Sequence, residues 1–544
     1  MMFCVYSWIS MRNNLGVAIV CMVNASSSAA SSDNSMLQLN DSYLFIAHSM
    51  ERSMMAKCGR TISAESAGSG YDGTLNWSSF QQSQLFAALF YTSFLTVGIS
   101  GWIADRFSPK ILVIVFMSNY GIFTVLTPFF ANSSFYVYLA ARFIMGLGEG
   151  MVFPCVTSMV ARWFPPGERS TAAALYTSGS MRFCTGNIKG QNFYWPFKFY
   201  FSFYIQSLCL GNQIAAGLGA ILFTKLCTVT TFLDYGWPNI FYLTGTYLMS
   251  ILYAPLGFLT FVFVLLWSIF LTDNPMDNRF VSAKEKLFLS EELSGQHSGM
   301  GSRKLSTRKV PWVAMLTSPA TISNMLAQFS FNWSNIMVQA YLPSYFRDVV
   351  RLDLTSNGWY TATPFITQLV FKNVFGIGSD VLKRAGLLTD TAACKILQVF
   401  SGIGVAITLI LMALFVDCTN PHLALFLLSI FGICFAGSNS GAFTASLCIA
   451  PPFTGTVVSL CSFTGAVANI LAPTLIGFLN KKGTPEEWSL IFFTAAAINV
   501  ICGVEFLIWG TAEVQPWAKN EAAEKLPPKI FPITENGREI QTHK

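Results

Sequence analysis

Three ionisable side chains interrupt otherwise apolar runs, and together they have the chemistry to hold an anion and handle a proton. Arg12 lies within MMFCVYSWISMRNNLGVAIVCMV, and Arg142 and Glu149 lie within YLAARFIMGLGEGMVFPCVTSMVARWF. A charge among lipid tails costs about 2.5–3.5 kcal/mol on insertion scales, so such residues face a protein interior or a watery cavity. A guanidinium offers carboxylate or phosphate a planar, always-charged fork. Arg142 and Glu149 are seven residues apart, which sets them on one helix face about 10 Å from each other. Two bland alternatives remain at this point: Arg12 snorkelling to a helix end, and Arg142 serving only to neutralise Glu149. Arg12 and Arg142 are the expected anion ligands, and Glu149 is the expected coupling acid.

Weaker candidates are polar rather than charged. Asn332, Ser334, Asn335 and Gln339 make one apolar run unusually polar, and Asn439 sits in GSNSGAF of another. Asn332, Asn335 and Asn439 are expected to line the same cavity, with interhelical hydrogen bonding as the competing reading. Glu505, near the end of the last apolar run, reads as structural. The 13 cysteines are scattered, many of them (Cys21, Cys155, Cys434) inside apolar runs, where they read as small packing residues. None has metal spacing, so neither metal nor cofactor is expected beyond a coupling proton or sodium ion. Of the 4 histidines, three lie outside the apolar runs and His422 stands at the edge of one. No nucleophile has an evident base, so the chain is not expected to be an enzyme.

What must position these groups is a membrane bundle. Of 544 residues, 53% are hydrophobic and 11% charged, and the mean hydropathy is +0.50. Soluble proteins carry about 25% charged residues. At about 20 apolar residues per span, the chain offers about twelve spans. They fall near 3–23, 82–103, 111–131, 136–163, 212–233, 239–271, 316–343, 358–379, 392–416, 422–448, 454–479 and 488–510. The expectation is an all-α polytopic membrane protein of two six-helix halves, 1–271 and 312–510. A cytoplasmic link, 272–311, joins them, and a polar, disordered cytoplasmic tail, 511–544, follows.

Charge placement orients the bundle. With the N-terminus inside, the cytoplasmic segments hold Arg106, Lys110, Arg162, Arg169, Lys383, Arg384 and the basic residues of link and tail, as the positive-inside rule requires. Sequons at Asn24, Asn40, Asn76 and Asn132 then share the non-cytoplasmic side. The first apolar run lacks a basic leader and has Arg12 in its middle, so it reads as a span rather than a signal peptide. It begins without a cytoplasmic lead, which reads as a truncated N-terminus. Residues 180–211, aromatic-rich and without a motif, interrupt the pattern and read as an insertion or gene-model artefact, and 247–255 is a smaller surplus.

A repeat crosses the link. GWIADRFSPK after the second run and GIGSDVLKR after the eighth both set Gly four residues before Asp and then basic residues. Gly101, Asp105 and Arg106, with Gly376, Asp380 and Lys383, form the expected gating motif, in which Gly permits close helix approach and Asp pairs or caps near a helix end. Duplication in equivalent places is the pattern of the major facilitator superfamily, whose halves rock about a central site. Further motifs, MRNNLGVAIVCMVN, RFIMGLGEGMVFP, RWFPPGERS, NWS and GSNSGAF…IAPPFTG, resemble the anion/cation symporter family of sialin, vesicular glutamate and nucleotide transporters and sodium-phosphate cotransporters. That resemblance implies a cation-coupled secondary transporter of organic or inorganic anions working by alternating access. It implies that Arg12 and Arg142 serve the anion site and that Glu149 serves coupling. Phe86 and Phe331 stand where vesicular glutamate transporters carry a histidine and an arginine, which favours a sialin-like or phosphate-cotransporter-like member. The family's charged D-I-A-P-R is CIAPP here, Cys448 to Pro452. The expected partners are a small anionic solute and the lipid bilayer of a plasma, lysosomal or vesicular membrane, without nucleic acid, for a monomeric glycoprotein. A transport-dead sensor or channel-like protein on the same fold is the alternative.

Overall fold

The computed structural model describes residues 2–24, 73–163, 213, 215–227, 236–245, 268–269, 272, 278–279, 311–450 and 453–518. Its helices are α1 Met2–Met22, α2 Ser79–Arg106, α3 Pro109–Ser133, α4 Phe135–Trp163, α5 Ala215–Leu226, α6 Pro238–Gly245, α7 Pro319–Ile336, α8 Leu354–Arg384, α9 Asp390–Phe415, α10 Pro421–Ser438, α11 Thr454–Leu479 and α12 Pro485–Trp509. Each falls on one of the expected apolar runs. Among the described residues, 6 helical stretches are long and apolar enough to cross a membrane. Asn40, the stretch 180–211 and the surplus at 247–255 lie outside the described residues, as do most of the link and tail.

Local sequence sets the helix starts. Ser78 caps α2 by accepting from the Gln81 amide, while the Gln81 side chain accepts from the Ser78 amide at 2.9 Å. This reciprocal pair satisfies two donors that a helix start leaves free. Ser108 with Pro109 opens α3, and Thr484 with Pro485 opens α12; proline fits the first turn because its missing N–H has no partner there. Large apolar side chains such as Leu95, Phe129 and Ile501 stay exposed on the bundle's outside, as a lipid-facing surface requires.

Two helices break regularity where their sequences turn polar or carry proline. After Ile336, α7 continues through wide turns at Met337–Tyr341 and Phe346–Val350 that flank Pro343. α10 continues through a wide turn at Asn439–Phe443, where Gly441 leaves the helical region. The Gln398 side chain of α9 accepts from the Ala442 amide there at 3.2 Å. Irregular backbone at membrane depth is tolerated when protein groups re-satisfy it in this way.

The halves meet along α1 with α7, α2 with α11, and α5 with α8. Gly16 of α1 lies so near α7 that a Cβ would stand 2.6 Å from the Gln339 carbonyl, and one on Gly477 of α11 would meet Ser83 of α2 at 2.6 Å. Only glycine permits these contacts. The tail departs from the expected disorder at its start. The Gln515 amide donates to the Ile449 carbonyl at 2.9 Å, and Trp517 packs on Phe453, so 511–518 folds against the ends of α10 and α11.

Candidate functional site

Glu149 of α4 gathers donors from two other helices. Arg12 Nη1 pairs with its Oε1 at 3.1 Å. The Trp8 indole donates to Oε2 at 2.8 Å, and the Tyr120 hydroxyl of α3 donates to the same oxygen at 3.1 Å. Trp8 and Arg12 are one turn apart, so one face of α1 supplies both. Phe90 of α2 stands 5.0 Å from the Arg12 guanidinium, close enough for a cation–π contact. Next along α1, Asn14 donates to Thr244 of α6 at 3.0 Å.

Arg142 has a different setting. It is 2% exposed, its Nε donates to the Leu85 carbonyl at 3.4 Å, and the Tyr138 ring is 6.0 Å away. Among the described residues, no carboxylate lies within ion-pair distance of it. The acid on its own helix is engaged by Arg12 instead. An unneutralised guanidinium at this depth wants an anion.

Among the described residues, the C-terminal half brings no charge to this cluster. Asn332 donates to the Gln328 carbonyl at 2.9 Å and accepts from Asn469 of α11 at 3.4 Å. Ser334 accepts from Asn499 of α12 at 2.8 Å. Asn335 is half-buried, and Asn439 is buried with Nδ2 unpartnered. α1 and α7 run the same way along the bundle. One turn back from the Gly16–Gln339 contact, Arg12 and Asn335 therefore stand at one depth on either side of the seam between halves.

Nearer one end, the halves close. Phe86 packs on Tyr341 with centroids 5.0 Å apart, the Tyr341 hydroxyl donates to Ser83 at 3.2 Å, and Phe80 meets Phe478 at 5.2 Å. Above these contacts is a small cavity of about 70 Å³, lined by Ser83, Phe86, Tyr341, Arg347, Asp348 and Asn480. Arg347 and Asp348 pair there at 2.8 Å. Asn24, Asn76 and Asn132 are exposed at this same end of the bundle. Cys21 is not the packing residue that its apolar run suggests: it is disulfide-bonded to Cys227, also at this end.

A family profile described as Major Facilitator Superfamily matches residues 45–181 and 207–473. The chain belongs to the Major Facilitator Superfamily. The break in the match, 182–206, falls within the stretch that reads as an insertion. Sheep sialin is 25% identical over 94% of this chain and 88% of its own length. The mouse sodium-dependent phosphate transport protein 3 is 24% identical over 97% of this chain and 95% of its own. The fold resembles a bacterial homologue of the human lysosomal transporter Spinster, captured inward-facing and occupied, with a TM-score of 0.58 and 12% identity over 93% of this chain and 95% of that one. The chain is an integral membrane secondary transporter, not an enzyme, and its relatives include the sialin and phosphate-transporter group that its motifs resemble.

The expected gating motif at the ends of α2 and α8 falls only partly among the described residues. Gly101, Asp105 and Arg106 fall in the last turns of α2 and Gly376 and Asp380 within α8; the side chains of Asp105, Arg106 and Asp380 lie outside the described residues. Lys383 pairs with Asp390 at the start of α9, at 3.3 Å. The two positions with aromatic substitutes have packing roles. Phe86 holds Tyr341 across the seam, and Phe331 stacks on Phe435 at 4.6 Å. Trp8 and Tyr120 were not singled out by sequence reasoning. In an apolar run both look like packing residues, although Trp8 one turn before Arg12 is a usable signal.

Proposed function

We propose that the chain is a proton-coupled symporter of small anions, with Arg142 and Arg12 as anion ligands, Asn335 lining the opposite wall and Glu149 carrying the proton. The observation that carries this reading is the division of partners: Glu149 neutralises Arg12, whereas among the described residues Arg142 has no acid. Protonating Glu149 removes the charge that holds Arg12. The freed guanidinium then joins Arg142 on the anion, so proton and anion favour each other's binding. By linkage, each raises the other's affinity by the same factor.

The surroundings of Glu149 favour a proton over sodium. Its carboxylate is met by N–H and O–H donors from Trp8, Arg12 and Tyr120, whereas a hard cation needs several oxygen ligands. The sialin and phosphate-transporter names of relatives support carboxylate or phosphate anions as the substrate class. We place the termini in the cytoplasm, with the closed end facing a lumen or the exterior. Basic residues at the opposite end, exposed sequons at this one, and the Cys21–Cys227 bridge, which suits an oxidising compartment, support that placement.

The test is uptake into proteoliposomes across a panel of sugar acids, dicarboxylates and inorganic phosphate, under proton and sodium gradients imposed separately. Concentrative uptake of one anion class that follows the proton gradient is expected. Uptake that follows sodium alone overturns the proton reading, and uptake driven by neither overturns symport.

A further inference from the structure

The interface of α7 and α12 carries polar groups that the anion site does not use. From mid-membrane outward, Asn499 donates to Ser334 at 2.8 Å, and Ser330 faces Cys502. Ser323 then faces Glu505. On α7 the sequence is Ser323, Ser330 and Ser334, and on α12 it is Asn499, Cys502 and Glu505; both spacings follow one helical face. Glu505 closes this ladder one turn from the end of α12, at the end of the bundle opposite the exposed sequons.

Glu505 is 8% exposed, and neither carboxyl oxygen makes a well-formed hydrogen bond. The Ser323 hydroxyl facing it is fully buried and equally unengaged. Ala327 of α7 and Phe506 of α12 belong to one apolar cluster with Ala442 and Ala512. Countercharge is scarce. α7 and α11 contain no charged residue within their helices. On α9, Lys395 donates to the Ile508 carbonyl at 3.4 Å, and Asp390 pairs with Lys383. Cys502 shares Glu505's own helix face, and Glu513, beyond the helix, is exposed. An ionised carboxyl with neither hydrogen bond nor countercharge is among the costliest groups to bury, and such a group binds a proton instead.

We propose that Glu505 is a second proton-binding carboxyl, housed in the C-terminal half and independent of the anion site. With α7 and α12 packed as here, it holds its proton against the Ser323 hydroxyl. When α7 shifts against α12, water reaches the carboxyl and it releases H⁺ to the nearby aqueous end, becoming a carboxylate; the reverse step takes one proton up. The wide turns of α7 at Met337–Tyr341 and Phe346–Val350 are where such a shift is absorbed, as wide helical turns recur at functional sites. Glu505 thereby ties the packing of this half to proton concentration on one side of the membrane.

Infrared difference spectroscopy of the full-length protein in liposomes, titrated from about pH 5 to about pH 9, tests this without any substrate and so does not depend on the anion reading. The expected result is a carbonyl band of a protonated carboxylic acid that bleaches with rising pH and is missing in Glu505→Gln. A Glu505→Gln spectrum identical to wild type overturns the proposal, because Glu505 then does not change protonation. Should Glu505→Gln not fold, Ser323→Ala serves in its place: it retains the carboxyl, and a shifted band position or midpoint is expected, while an unshifted titration counts against the site. Glu149→Gln must leave the Glu505 band in place; its loss there would assign the band to Glu149 and overturn the inference.

Discussion

The two halves of this transporter solve the burial of polar groups differently. In the N-terminal half, α1, α3 and α4 bring Arg12, Tyr120, Arg142 and Glu149 together, with one guanidinium neutralised and one not. In the C-terminal half, the facing helices bury amides and hydroxyls that bond one another, Asn332 with Asn469 and Ser334 with Asn499, and stack Phe331 on Phe435. The difference teaches a division of labour around the anion: the charges offered to it belong to one half, while the other contributes shape, helix irregularity and, apart from the anion site, the buried Glu505 carboxyl. An unneutralised buried charge persists only where a ligand or a moving proton rewards it. Hydrogen-bonded amides need no such reward.

The largest effect expected from this contrast is at Arg142. Arg142→Ala should lower anion uptake by about 100-fold or more, taking about 3 kcal/mol for a buried charged contact. Surface abundance should remain near normal, and Arg142→Lys should rescue poorly, since Lys lacks the planar fork. Uptake by reconstituted protein, normalised to folded amount, checks this; near-wild-type uptake by Arg142→Ala would move the anion site out of the N-terminal half.

Next in size is Asn499. Asn499→Ala removes bonds to Ser334 and to the Ala495 carbonyl, both 2.8 Å, and should destabilise the folded protein by about 1–3 kcal/mol. Transport per folded molecule should change little. Thermal unfolding in detergent beside uptake separates the two, and a selective loss of uptake would give the α7–α12 interface a role in the anion site.

A smaller effect is expected at the seam. Tyr341→Phe deletes the hydrogen bond to Ser83, about 0.5–1.5 kcal/mol, and loosens the closed end. Thiol labelling at Ser344→Cys, on the same rim, should speed up by about 3–10-fold on that energy scale. Unchanged labelling would mean that the Phe86–Tyr341 packing holds the halves without it.

The amino-acid sequence makes the three charges legible because lipid makes them conspicuous: Arg12, Arg142 and Glu149 stand well inside apolar runs. It also makes the helices legible, since each apolar run is punctuated by caps such as Ser78 and Thr484. It does not reveal which arginine holds Glu149. Arg142 shares its helix, but the pairing is made by Arg12, 137 residues away in sequence, and helix spacing is silent on contacts between helices. Cys21 is misread for a related reason, since its partner Cys227 is 206 residues distant and a cysteine in an apolar run looks like a packing residue. Pro343 and the Gly441 region signal a departure from regular helix, but not that the chain would answer with wide turns.

The central claim is that Glu149 alternates between holding Arg12 and holding a proton, and equilibrium binding tests it most directly. The measurement is the affinity of purified wild type and Glu149→Gln for the best-transported anion of the panel, as a function of pH. The wild type should bind more tightly as pH falls, by up to about tenfold per pH unit where one proton is taken up with the anion. Glu149→Gln should bind with the acid-side affinity at every pH. If Glu149→Gln keeps the full pH dependence of the wild type, the proton that accompanies the anion binds elsewhere, and the Arg12–Glu149 pair is structural.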